Sequence, residues 1–61
     1  MDADYYILLS TGDVIAPALE LHKFTDYSSL WQYLQDRLFM DRIAWYQIYY
    51  GDVLIMQRVL P

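Results

Sequence analysis

The sequence predicts a small α+β fold: an antiparallel sheet of two hairpins with one helix packed on one face, in the order ββαββ. Three observations lead there. Short runs of β-forming residues flank a single stretch with helical spacing. A Gly-Asp pair interrupts each β-rich region. The chain is only 61 residues and 7.3 kDa, enough for one core, so residues 1–61 read as a single domain.

Each element has a local reason. Tyr5-Tyr6-Ile7-Leu8-Leu9 is a short aromatic and aliphatic run, which fits a strand. Gly12-Asp13 is expected to form a two-residue turn, because glycine supplies the positive φ of a type II′ hairpin. Val14 to Leu21 is then the second strand. Pro17 cannot donate to a ladder, so this strand is an edge or bulged, or is mostly loop after Ile15. Thr25 or Asp26 can cap a helix running from about Asp26 to Met40. Tyr27, Leu30, Trp31, Leu34 and Leu38 form its apolar stripe, and Arg37 sits near the end that favours a cation. Ile43 to Tyr50, the Gly51-Asp52 turn and Val53 to Leu60 make the second hairpin.

Strand alternation then sets the faces. With a regular two-residue loop at Gly51-Asp52, Tyr50 opposes Val53, Ile48 opposes Ile55 and Tyr46 opposes Gln57. Tyr49 with Leu54, Gln47 with Met56 and Trp45 with Arg58 occupy the other face, the last as a cation–π pair. In the first hairpin, Leu8, Tyr6, Ile15, Leu19 and Leu21 lie opposite Leu9, Ile7, Tyr5, Val14, Ala16 and Ala18. Neither sheet face is polar, and one helix covers one face only. The uncovered face is expected to meet protein: a second copy in a homodimer, or another protein. The predicted contact residues are Trp45, Arg58, Met56, Tyr49 and Leu54, joined by Tyr33 and Met40 on a flank of the helix away from its main stripe.

Composition narrows the function. Hydrophobic residues make up 57% and charged residues 20%, which excludes a disordered chain. The net charge is −4, with seven of the eight acids aspartate, so nucleic acid and anionic membranes are disfavoured as partners. A chain crossing of helix over sheet would split the aspartates between the two ends, Asp41 and the Gly12-Asp13 turn at one, Asp26 and Gly51-Asp52 at the other. That argues against one concentrated acidic face. The acidic first residues do not resemble a secretory leader, and a cytoplasmic protein is expected. No cysteine is present, so thiolate chemistry is excluded. His22 is the only histidine, with Glu20 two residues away on the same face. Such a pair can serve as an acid–base unit, yet no nucleophile or pocket motif accompanies it. No metal or cofactor motif is present. The expectation is a small acidic, non-enzymatic protein-binding protein without cofactors, acting as an inhibitor or adaptor of a larger protein. The alternative is a structural subunit that assembles with copies of itself or within a complex.

Overall fold

The computed structural model describes residues 3–12 and 18–61. The elements are β1 (Tyr5–Thr11), β2 (Leu19–Phe24), α1 (Tyr27–Met40), β3 (Ile43–Tyr50) and β4 (Val53–Val59). The four strands form one antiparallel sheet in the order β2-β1-β3-β4, with α1 packed on one face. β2 and β3 run parallel with β1 between them, so α1 is the crossover that joins them.

The first hairpin differs from the expected one. Thr11 donates its N–H to the Ala18 carbonyl at 3.0 Å, and Ala18 donates to Thr11 Oγ1 at 3.0 Å. Thr11 therefore faces Ala18 rather than Val14, which rules out a two-residue turn at Gly12-Asp13. β2 begins at Leu19, and the expected strand positions Val14 to Pro17 lie outside the described residues. β2 is an edge strand. Gly12 is needed for a different reason than a turn: a Cβ there would lie 2.6 Å from Arg42 Cγ. Its N–H bonds the Arg42 carbonyl, tying the loop to the end of the helix.

The helix and the second hairpin fall where the sequence puts them. Asp26 caps α1: its carboxylate accepts from Ser29 N–H at 2.7 Å and from Ser29 Oγ–H at 3.0 Å. The Gly51-Asp52 turn has φ +62° at Gly51 and no positive φ at Asp52, the type II′ pattern. One feature of β4 was not foreseen. The register shifts by one residue between Ile48 and Tyr49, leaving Ile55 as the extra residue of a β-bulge. Beyond it Met56 opposes Ile48, Gln57 opposes Gln47, Arg58 opposes Tyr46 and Val59 opposes Trp45.

The core lies between α1 and the sheet. Leu30 and Leu34 of α1 meet Ile7 and Leu9 of β1 and Ile48 of β3, all fully buried, with Ile43 and Tyr46 at the margin. The two ends of the molecule sort as expected. Asp41 lies with Gly12 and Arg42 at one end, while Gly51 N–H bonds the Asp4 carbonyl near the start of α1 at the other. The described aspartates are thus split. Among the described residues, no helix is long and apolar enough to cross a membrane.

Candidate functional site

Two features stand out: the sheet face opposite α1, and a polar cluster that anchors α1 to β2. On the open face β1 contributes Tyr6 and Leu8, β2 contributes Leu19 and Leu21, and β3 contributes Trp45 and Tyr49. β4 adds Leu54 and Val59. Four strand residues on that face are polar, Ser10, Lys23, Gln47 and Gln57, and the Asp4 carboxylate reaches Lys23 at its rim, 3.3 Å away. Leu19, Leu21 and Val59 are 66%, 64% and 81% exposed, values that belong to a surface rather than a core. Tyr49 Oη donates to Gln47 Oε1 at 2.7 Å, and Gln47 Nε2 donates to Gln57 Oε1 at 3.3 Å. This chain of bonds holds the amides along the face, so their polar groups are partly satisfied without water.

The bulge corrects the expected pairing. Trp45, Tyr49 and Leu54 share the open face, whereas Met56 and Arg58 lie on the helix side of β4. Trp45 and Arg58 are therefore on opposite sides of the sheet and do not form the expected cation–π pair. A single inserted residue has this effect because side chains alternate with period two. Met40 is exposed at the end of α1. Tyr33 is half-buried and packs toward β2 within the polar cluster. A depression lined by Trp45, Tyr46, Gln47, Gln57, Arg58 and Val59 has a volume of about 90 Å³. Ligand pockets run to roughly 300–1,000 Å³, so this hollow suits a protein side chain better than a small molecule.

The polar cluster was only partly visible beforehand. Glu20 and His22 alternate onto the helix side of β2, as their spacing requires. Arg37 reaches them from α1 and grips Glu20 with both amino groups, Nη1 to Oε1 at 2.7 Å and Nη2 to Oε2 at 2.8 Å. Its Nε donates to Asp41 at 2.6 Å, and Nη1 also donates to Tyr33 Oη at 2.6 Å. His22 Nε2 lies 2.9 Å from Glu20 Oε1 and 2.9 Å from Tyr33 Oη. The carboxylate can only accept, which assigns the hydrogen to Nε2. The cue that was available is the i,i+4 spacing of Tyr33 and Arg37 on one flank. What the sequence could not give is which strand that flank meets.

The electrostatics follow from those contacts. Hydrogen bonds from Arg37, and then from His22, hold the Glu20 carboxyl at about 2, below its ordinary 4.5. Arg37 is pushed further up by Glu20 and by Tyr33. A depressed carboxylate stabilises the fold fully above the unfolded value and loses that contribution as pH falls. Thermal stability should therefore drop between pH 4.5 and about 2 with a component that Glu20→Gln removes. Melting curves of the two proteins over that range check it; parallel pH profiles would contradict it.

Chemically, the cluster is a clamp between helix and edge strand. Every member is engaged with another member, and no group of three or more potential metal ligands occurs among the described residues. The chain matches no protein-family model, no curated protein and no solved structure.

Proposed function

We propose that this is a non-enzymatic protein-binding protein whose open sheet face is covered by a second copy of the chain. The observation that carries the reading is the apolar face itself: eight of its twelve described side chains are aliphatic or aromatic. A soluble monomer rarely leaves so continuous an apolar patch in water. A two-fold axis through the sheet would bury this patch against its own image, with the Asp4–Lys23 ion pair at its rim. The acidic remainder of the surface is then free for a further protein, which fits an inhibitor or adaptor acting from the cytoplasm.

The test uses Trp45→Glu and Leu54→Glu, each placing a charge on the open face. Both should weaken self-association by at least about tenfold, which corresponds to 1.4 kcal/mol, while the far-ultraviolet spectrum stays that of the folded chain. Unchanged association in both variants would remove this face as the contact. Met56→Glu serves as a control on the other side of the sheet and should leave the self-association unchanged.

A further inference from the structure

The helix side of the sheet is also incomplete, and here the missing neighbour has a definite shape. The outer strands of a four-stranded sheet lie roughly 14 Å apart, and a helix with its side chains is about 10 Å wide. α1 is not centred. Arg37 pins one flank of it to Glu20 on β2, and Tyr33 packs beside His22 and Phe24 on that same side. The opposite flank, Tyr27 and Trp31, therefore stops short of β4. Every residue of β4 is exposed. What results is a groove beside α1. Its wall is Tyr27 and Trp31, stacked at 6.2 Å and 37% and 39% exposed. Its floor is Tyr50, Val53 and Met56, with Arg58 at the far end.

We propose that this groove receives an amphipathic helix from a different protein, lying beside α1 in the same layer and presenting an acidic side chain to Arg58. Helices pack side by side at 8–10 Å, which sets the incoming axis above β4, where none of the described elements lies. Among the described residues no carboxylate pairs with Arg58, although the chain as a whole is acidic. An acid on the partner supplies that missing charge. The occupant is not α1 of a second copy. The apolar stripe of α1 is already spent on its own sheet through Leu30 and Leu34, and its outward surface is mixed, Ser29, Gln32 and Asp36 beside the exposed Phe39 and Met40, without a second continuous apolar stripe. The groove lies on the opposite side of the sheet from the self-association face, so the two can fail separately.

The probe is a pair of synthetic peptides of about 18 residues, long enough for a stable helix when alanine-rich. Both carry leucines at i, i+3, i+4 and i+7; one has glutamates flanking the stripe, the other lysines. The intact protein should bind the glutamate peptide saturably, about tenfold more tightly than the lysine peptide. Arg58→Glu should reverse that preference, and Met56→Glu should weaken binding of both peptides by about tenfold or more. Arg58 is exposed, so Arg58→Glu tests the groove even if Met56→Glu proves unstable. Trp45→Glu, on the other face, should leave peptide binding unchanged. Equal binding of the two peptides, no saturable binding of either, or loss of binding in Trp45→Glu but not in Met56→Glu or Arg58→Glu would each overturn the proposal. A drop in the protein's own solution mass on Met56→Glu would overturn it too, by making the occupant a second copy.

Discussion

Leu34→Ala should destabilise the protein by about 2–5 kcal/mol, the range for emptying a buried leucine site. Leu34 is fully buried on α1, and the side chains around it belong to three different elements. A domain this small holds only about 3–9 kcal/mol of stability. Losing a leucine side chain therefore removes much or all of the margin. Neighbours can refill the hole only by moving α1, and the Arg37–Glu20 grip opposes that movement. The melting temperature should fall by at least about 10 °C, while Gln35→Ala, on the exposed surface of the same helix, should change stability by no more than about 0.5 kcal/mol. Both belong at one protein concentration, because association adds to apparent stability by mass action. Similar melting temperatures for the two variants would contradict a core centred on Leu34.

Arg37→Met is expected to have the second largest effect. The methionine keeps most of the apolar stem while removing every donor. Glu20 then loses two charge-assisted bonds and Tyr33 and Asp41 lose one each. The cluster is only partly buried, so water replaces some of these bonds and the loss stays below that of Leu34→Ala. It should still exceed the roughly 0.5 kcal/mol of an ordinary surface substitution, because one side chain holds three partners on two elements. A second readout separates the clamp from simple packing. Arg37 is the largest cause of the low Glu20 value, so the acid-side loss of stability should move up toward the ordinary carboxylate range in Arg37→Met. Destabilisation with an unchanged pH profile would mean that Arg37 acts through its stem alone.

The elements were legible because each had its own local signal. The helix had a stripe at 3.6-residue spacing and an Asp26 cap, and it occupies Tyr27–Met40. The second hairpin had a Gly-Asp turn between two β-rich runs, and its strands begin and end within a residue of expectation. The first hairpin misled because Gly12-Asp13 resembles the same turn. Nothing local says that Thr11 will bond to Ala18 across a six-residue connection instead. The bulge at Ile55 was equally silent, since Val53 to Met56 is apolar at every position and the adjacent Gln57 and Arg58 do not alternate either, so nothing fixes the register. That silence mattered for the site. It moved Met56 and Arg58 to the helix side while Trp45, Tyr49 and Leu54 stayed on the open face. The clamp needed knowledge of strand order: Tyr33 and Arg37 show their flank, but β2 becomes its neighbour only when β1 inserts between β2 and β3.

The bulge also bears on how the chain avoids indiscriminate pairing. β4 is an apolar edge strand, the kind that recruits other strands. The extra residue at Ile55 breaks its regular ladder, and Arg58 adds a charge. The other edge, β2, carries Glu20, His22 and Lys23, with Lys23 bonded to Asp4 at 3.3 Å. Both edges are thus poor templates for pairing with a further strand.

The most direct measurement is the absolute solution mass by light scattering over a wide range of protein concentration. The account predicts a mass near twice 7.3 kDa that falls toward 7.3 kDa only on strong dilution. A mass of 7.3 kDa at every concentration would contradict it, because the apolar sheet face would then stand uncovered in water.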